Sequence, residues 1–268
     1  MIDFGRVYRP GHFDPVVYDA DYAERADRHS RNPLSQQEQS LIAAELAQSS
    51  PRMLLEVGCN TGNVLAELCD SLSADGVGVD VNPAAIRRAQ SAWPQLDVFE
   101  YGGHNLPFDD DRFDHAIFHH VIGHVANPAR LLQEILRVLR PGSTVSIITT
   151  NSWFKHWQLP FNILRRFHPD MTILRHYSRR TLLSQLSRAG FRVDRISLFG
   201  ERATLCPPLI GNCFRLRIIA FAQRPQDEAD FELPMADPQP VSSHASGDVA
   251  HFAHRGGVTS EAPALQEG

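Results

Sequence analysis

Short apolar runs alternate with stretches of helical period along this chain, and that alternation limits its fold more than any other feature. MLLEV (Met53 to Val57) and GVGVDV (Gly76 to Val81) are nearly continuous apolar runs, as expected of strands buried on both faces of a sheet. After each run, apolar residues recur at the spacing of an α-helix. Strands that alternate with helices predict an α/β protein in which helices cover both faces of a parallel sheet.

The same patterns predict the other elements. Further strands are expected at Asp97–Tyr101, His115–Val121, Thr144–Thr149, Arg192–Phe199 and Leu216–Ala222. Helices are expected at about Asn63–Leu72, from Asn82-Pro83 onward, at Pro128–Leu139 before Arg140-Pro141-Gly142, and at Ser178–Ala189. Ser35-Gln-Gln-Glu38 has the pattern of a capping box and predicts an earlier helix. Because parallel sheets bind ligands beyond the carboxyl ends of their strands, a site is expected in the loops after the first four strands.

Composition divides the 268 residues into three parts: an N-terminal cap segment (1–32), one domain (33–224) and a tail (225–268). The tail has eight acidic residues, one basic residue and five prolines without any period, so we expect it to be disordered. Its histidines, His244, His251 and His254, fit a solvated tail better than a metal site. The formal net charge of -5 excludes a generally basic nucleic-acid binder, so no nucleic acid is expected as a partner.

Several absences bear on location. The sequence contains no run of 18 apolar residues, so no transmembrane helix is predicted. Met1 to Pro10 lacks the pattern of a secretory signal. The four cysteines form no CxxC pair and are too few for a disulfide scaffold. A cytoplasmic protein is therefore expected.

The first predicted loop, Glu56-Val57-Gly58-Cys59-Asn60-Thr61-Gly62-Asn63, has glycines that permit a tight turn close to a ligand. It is not GxGxxG, which argues against a nicotinamide dinucleotide, and by itself it also fits a plain strand-to-helix turn. Asp80 ends the second strand, 24 residues after Glu56. An acid there can accept hydrogen bonds from both hydroxyls of a ribose, or it can cap the next helix.

Three stretches carry a resemblance: LLEVGCNTGN, GVGVDVNPAAI and NLPFDDDRFDHAIFHHVIGHVANPARLLQEILRVLRPGS. Together they resemble the class I S-adenosylmethionine-dependent methyltransferases, in the small-molecule branch often called type 11, over about Leu54 to Phe191. The resemblance implies a three-layer α/β sandwich with a seven-stranded, mostly parallel, Rossmann-like sheet whose last strand is antiparallel. It also implies methyl transfer from S-adenosylmethionine to an oxygen or nitrogen of a small-molecule acceptor, with S-adenosylhomocysteine released. It does not identify the acceptor.

The resemblance also assigns cofactor-binding residues. It places Glu56 under the methionine amino group and Asp80 at the ribose hydroxyls, with Val81 on the adenine. The residues that would line the methionine and ribose lie in the first loop: Gly58, Cys59, Asn60 and Gly62.

The third loop departs from the family. The family usually has an aspartate that binds the adenine amino group, and this sequence has Gly102 there, followed by Gly103. Either His104, Asn105 or a backbone carbonyl would then replace the aspartate. The departure also leaves open a non-catalytic protein on the same fold.

His119 and His120 fall at the end of the fourth strand, where the resemblance places residues that contact both the methionine moiety and the acceptor. Histidine suits a base near neutral pH, and we expect His120 on the acceptor side and His119 on the cofactor side. Consecutive residues of a regular strand point to opposite faces, although strand ends are often irregular. His120 and His124 lack the HExxH context, so no metal is expected.

A long insertion, 151–177, contains aromatic residues beside arginines between Trp153 and Phe167. It fits a lid or a pocket for an apolar or anionic acceptor, a dimer interface, or contact with a membrane surface. Eight arginines between Arg165 and Arg195 suit an anionic substrate or a solvated helix face. A methyltransferase of lipid or cell-envelope precursors is therefore an alternative. The sequence does not decide between monomer and homodimer.

Overall fold

The structure is a computed structural model that describes residues 32–102, 105–152, 173–202 and 215–226. These residues all belong to one unit of the chain, Met1–Pro234. Most of the insertion and nearly all of the predicted cap segment (1–32) and acidic tail (225–268) lie outside them. Within the described ranges, none of the helices combines the length and the apolar character that a membrane span requires.

Five helices and seven strands make up the described fold. The helices are α1 (Pro33–Leu46), α2 (Asn63–Leu72), α3 (Pro83–Ala92), α4 (Pro128–Val138) and α5 (Arg179–Ala189). The strands are β1 (Met53–Val57), β2 (Asp75–Asp80), β3 (Asp97–Glu100), β4 (Phe113–His119), β5 (Leu139–Thr150), β6 (Arg192–Arg202) and β7 (Arg215–Gln223).

The strands form one sheet in the order β3-β2-β1-β4-β5-β7-β6. The pairs from β3 to β5 are parallel, whereas β7 runs antiparallel to both β5 and β6. This confirms the predicted seven-stranded, mostly parallel sheet with an antiparallel last strand. The carboxyl ends of β1, β2 and β4 lie side by side, so the loops that follow them share one edge of the sheet.

Apolar side chains form a separate core on each face of the sheet. One core joins α1, α2 and α3 to the strands through residues such as Ile42, Leu65 and Ile117. The other joins α4 and α5 to the opposite face, with Leu132, Leu182 and Phe118 among its members. Ile117 and Phe118 are consecutive and belong to different cores, as the two-residue period of a strand requires.

Helix ends follow the sequence closely, with one correction. The helix predicted at Ser178–Ala189 is confirmed: Ser178 and Thr181 form a capping box at the start of α5, and Gly190 ends that helix in the left-handed conformation. The capping box predicted at Ser35 is wrong. Asn32 caps α1, because its side chain accepts the Ser35 N–H and Pro33 occupies the first helical position. Glu38 therefore does not take part in capping the helix.

The start of β5 also differs from the prediction. Arg140-Pro141-Gly142 lies inside β5, because α4 already ends at Val138 and the pairing with β4 shifts register in this region. Past the shift, the buried His115 ring hydrogen-bonds Thr144 Oγ1 at 2.7 Å and Ser146 Oγ at 2.9 Å. Burial lowers the pKa of His115 to about 3. This histidine links β4 to β5 inside the core, away from the strand ends.

Candidate active site

The loop after β1 turns tightly against the segment after β4. Gly58 has φ 75°, and a Cβ there would stand 2.2 Å from Val121 Cγ2, so only glycine fits. The N–H groups of Gly58 and Cys59 both donate to Val79 O, at 2.7 and 3.1 Å. Gly62, with φ 78°, is the N-cap of α2. The predicted glycines thus bring bare backbone to the edge of the sheet where a ligand is expected.

Glu56 is a buried acid with one unsatisfied oxygen. Its side chain is 1 % exposed, and its Oε2 atom has no hydrogen-bond partner among the described residues. Burial, reinforced by the charge of Asp80, raises the pKa of Glu56 to about 8, although a hydrogen bond from the Leu65 backbone opposes the shift. A buried oxygen of this kind favours a cationic or N–H donor as its partner.

Asp80 connects the first two loops. Its Oδ2 accepts the Asn60 N–H at 2.9 Å, and its Oδ1 accepts the Asn82 N–H at 2.8 Å. Burial raises the pKa of this carboxyl, while these backbone hydrogen bonds act in the opposite direction. Asn82, not Asp80, caps α3, so the capping interpretation of Asp80 is wrong. The carboxylate instead lies at the end of β2, beside the first loop and just before Val81.

The cysteine of the first loop is a packing residue. Cys59 is a free, buried thiol, and its Sγ would lie 2.7 Å from a Cβ placed on Gly78 of β2. Burial, together with the charges of Asp80 and Glu56, raises the pKa of the thiol well above its usual value. Thiolate chemistry at this position is therefore disfavoured.

The third loop is open at the position where an aspartate was expected. A Cβ on Gly102 would have no atom within 4 Å, and Gly103 and His104 lie outside the described residues. Asn105 Oδ1 accepts a hydrogen bond from Arg130 at 2.8 Å, and its second lone pair leaves its contact with adenine as a prediction. The Leu106-Pro107-Phe108 turn is fixed from α4, since Leu106 N donates to Glu134 and its carbonyl accepts from Arg137.

The two histidines after β4 converge on one carboxylate oxygen. His119 Nε2 lies 2.8 Å from Glu38 Oε2, and His120 Nε2 lies 2.9 Å from the same atom. Regular alternation would send the two rings to opposite faces, but His120 has φ 62° and turns its side chain back. A left-handed conformation of this kind costs about 1–3 kcal/mol and persists where the surroundings enforce it.

Glu38 and Arg217 complete this cluster, and the sequence analysis did not identify either one. Glu38 is fully buried on α1, and its Oε1 accepts from Arg217 Nε at 2.8 Å. Arg217 also donates to Thr150, the residue it faces across the β5–β7 pair. The one signal for Glu38 in the sequence is its position four residues before Ile42, which places a charged residue on the apolar side of the helix.

The cluster is the one group of potential metal ligands that the described residues bring together. Glu38, His119 and His120 each offer an atom, and the three atoms lie within 4.8 Å of one another. The same groups can also transfer a proton, since a neutral imidazole accepts one and a neighbouring carboxylate stabilises the imidazolium that forms. His124 is not a member of this group.

Comparison with known proteins adds family information to this geometry. Residues 27–196 match the family described as methyltransferase domain. The chain is 30% identical over 158 residues to the O-methyltransferase resE of Aspergillus sclerotiorum, covering 57% of this chain and 59% of that protein. It is 31% identical over 143 residues to a phthiotriol/phenolphthiotriol dimycocerosates methyltransferase of Mycobacterium tuberculosis, covering 51% and 50%. The chain spans about half the length of the curated relatives it matches.

Solved structures show the same fold. A SAM dependent methyltransferase from Aquifex aeolicus superposes with a TM-score of 0.54 at 16% identity. The match covers 80% of this chain and 100% of that one. At this identity the likeness establishes the architecture of the sheet and its helices, whereas the chemistry depends on the residues of the site.

Proposed function

Because the chain belongs to the methyltransferase-domain family, we propose that it transfers a methyl group from S-adenosylmethionine to a small-molecule acceptor and releases S-adenosylhomocysteine. The acceptor atom is an oxygen or a nitrogen, and the site favours a hydroxyl oxygen. One observation carries the proposal: the unsatisfied Glu56 carboxyl lies beside the glycine loop and Asp80, at the carboxyl edge of the sheet. The family uses S-adenosylmethionine, and this edge offers what that cofactor needs.

The residues present fit the cofactor. Its amino group is cationic and would satisfy Glu56 Oε2, the buried oxygen that lacks a partner. Its ribose hydroxyls suit the Asp80 carboxylate, and the bare backbone at Gly58 allows a close approach. Cys59, Asn60, Gly62 and Val81 complete the lining in this proposal. We place Gly102 at the adenine, where a backbone group, His104 or Asn105 takes the place of the usual aspartate. Gly103 lies outside the described residues, and its contact with the cofactor stays a prediction.

S-adenosylmethionine supplies a methyl carbon on a positively charged sulfur, so a bond from the acceptor oxygen to that carbon releases the electron pair of the carbon–sulfur bond to sulfur. The protein has to align the acceptor and exclude water. A neutral hydroxyl also has to lose its proton during the transfer, whereas a neutral amine attacks without a base. The two imidazoles at the end of β4 therefore favour a hydroxyl acceptor, with His120 as the proton acceptor and His119 on the cofactor side.

The relatives support an apolar, hydroxyl-bearing substrate class. One relative is named an O-methyltransferase, and another is named a phthiotriol/phenolphthiotriol dimycocerosates methyltransferase. The aromatic stretch between Trp153 and Phe167 is rich in apolar residues that suit such an acceptor, and it lies outside the described residues. Contact with a membrane surface during capture of a lipid precursor stays a prediction.

Methyl transfer from methyl-labelled S-adenosylmethionine to paired acceptors tests this function. Each pair consists of a phenol and the aniline of the same ring, so the two differ only in the acceptor atom. We expect turnover with phenols, and we expect His120→Gln to lower kcat roughly 10²- to 10⁴-fold. Methylation of anilines alone would exclude the hydroxyl assignment. Absence of turnover on any acceptor, with the cofactor bound, would favour the non-catalytic alternative.

A further inference from the structure

A buried polar cluster joins three elements that are distant in sequence. Glu38 comes from α1, His119 and His120 from the end of β4, and Arg217 from β7. Both carboxylate oxygens of Glu38 are engaged, Oε1 by Arg217 and Oε2 by the two histidines. The side chains of Glu38, His119 and Arg217 are 0, 7 and 8 % exposed, whereas that of His120 is 20 % exposed. His120 is therefore the member that a substrate can reach most easily.

The charge of Glu38 determines where the protons of the two rings lie. Burial alone would raise the pKa of Glu38, but the hydrogen bonds and electrostatic interactions with His119 and His120 together outweigh it and hold the pKa well below its usual range. An ionised carboxylate only accepts hydrogen bonds. Each Nε2 that contacts it must therefore carry a proton. In a neutral ring with Nε2 protonated, Nδ1 holds the basic lone pair.

We propose that Glu38, anchored by Arg217, is a positioning residue that fixes His120 in the Nε2–H tautomer and thereby makes Nδ1 the atom that takes the proton of the acceptor hydroxyl. This inference rests on the proposed methyl transfer. His119 donates to the same carboxylate oxygen, and its ring holds the His120 ring by edge-to-face contact, with the ring centroids 4.8 Å apart. Glu38 itself does not contact the acceptor.

The proton transfer balances within this cluster. The hydroxyl proton moves to Nδ1 of His120, and the electron pair of the O–H bond stays on the oxygen. The resulting imidazolium keeps its Nε2–H bond to Glu38, so the new positive charge lies beside a buried carboxylate. Burial lowers the pKa of His120 to about 4, and the hydrogen bond and charge of Glu38 oppose that shift, so Glu38 increases the basicity of the ring.

A divalent cation is the competing occupant of the same atoms. Glu38 Oε2 and the two Nε2 atoms lie close enough to share one ion. Such an ion would displace both Nε2 protons and would add two positive charges next to the buried Arg217, which already neutralises Glu38. The charge balance therefore favours protons over a metal ion at the two Nε2 atoms. Titration with zinc, described below, distinguishes these two occupants.

Long-range ¹H–¹⁵N spectra of the full chain at pH 7 test the inference without any acceptor. His119→Gln and His120→Gln assign the two rings among the thirteen histidines of the chain. We expect a proton on Nε2 of both rings in the wild type and an unprotonated Nδ1 on His120. In Glu38→Gln, the amide N–H can donate to a ring nitrogen, so at least one ring should move its proton to Nδ1. Glu45→Gln is the matched control, because Glu45 lies on the same helix and pairs with Arg195 at the surface.

A wild-type His120 with its proton on Nδ1 would overturn the inference, and this measurement does not depend on the folding of a variant. Zinc titration of the wild type gives the second arm. Loss of both Nε2–H signals at stoichiometric Zn²⁺, together with methyl transfer that a chelator abolishes, would establish a metal site instead. Failure of the proposed function would appear separately, as absence of turnover despite the expected tautomers.

Kinetics then distinguish positioning from a structural role. Removal of the carboxylate lowers the pKa of His120, so Glu38→Gln should move the acid limb of the kcat–pH profile to lower pH. It should also reduce plateau kcat roughly 10²- to 10⁴-fold. The affinity for S-adenosylhomocysteine should stay that of the wild type, as should all parameters of Glu45→Gln. An unchanged acid limb in a folded Glu38→Gln variant would contradict the assignment.

Discussion

Glu56 is the residue whose protonation state should report most directly on the ligand. With a pKa of about 8, its carboxyl is mostly protonated at pH 7. A cationic amino group beside Oε2 favours the ionised form, so binding should expel a proton. Affinity for S-adenosylhomocysteine should then rise between pH 6 and pH 8, by at most about tenfold per pH unit. The rise should stop near pH 8, where the free protein has already lost the proton.

Calorimetry in two buffers of different ionisation enthalpy measures that proton release. Glu56→Gln serves as the control, since it cannot ionise and should bind without releasing this proton. Proton uptake, or an affinity independent of pH across this range, would show that Glu56 does not face the amino group.

Glu38 shows what could not be predicted at this scale. The sequence suggested a capping box for it, because the local spacing Ser35-Gln-Gln-Glu38 matches that pattern. Its actual partners are 81, 82 and 179 residues away along the sequence, and only the tertiary fold brings them together. His119 and His120, in contrast, were predicted as site residues because the resemblance places site residues at the end of the fourth strand. Their convergence on one face depends on the backbone turn at His120.

At the scale of elements, the turn from β1 into α2 should tolerate no side chain at its first glycine. Gly58→Ala would place Cβ against Val121 in a conformation with φ 75°, which alanine rarely adopts. We expect a loss of about 1–3 kcal/mol in the free energy of unfolding, together with loss of cofactor binding.

Gly102→Ala provides the matched control for that measurement in urea. A Cβ on Gly102 meets nothing within 4 Å, so its substitution should change stability by no more than about 0.5 kcal/mol. Equal destabilisation by the two substitutions would contradict the close packing inferred between the first loop and Val121.

The positions of most helices and strands were predictable from the sequence, but the residues at which they begin and end were less predictable. The apolar run of β1 and the capped helix α5 appear where the pattern placed them, because burial and capping are local demands. The start of β5 was misplaced, since Arg140-Pro141-Gly142 is a typical helix stop and the strand accommodates it by a register shift. Such an irregularity depends on the neighbouring strand and leaves no mark in the local sequence.

At the scale of the whole molecule, the alternation of strands and helices predicted a covered parallel sheet but not its strand order. The order β3-β2-β1-β4-β5-β7-β6 brings the ends of β1, β2 and β4 together and places Arg217 of β7 near α1. That arrangement makes a cofactor edge from the first loops and a proton-accepting cluster from three distant segments. The resemblance supplied the antiparallel last strand, which the apolar pattern alone does not distinguish from a parallel one.

Calorimetric titration with S-adenosylhomocysteine, in the wild type, Asp80→Ala and Asp75→Ala, tests the central claim most directly. Asp80 and Asp75 lie at opposite ends of β2, and only Asp80 lies at the proposed site. We predict binding to the wild type and to Asp75→Ala with equal affinity. Asp80→Ala should bind roughly ten- to a hundredfold more weakly, as expected for the loss of two hydrogen bonds, about 1.5–3 kcal/mol. Absence of binding to the wild type, or equal affinity in all three proteins, would contradict the account.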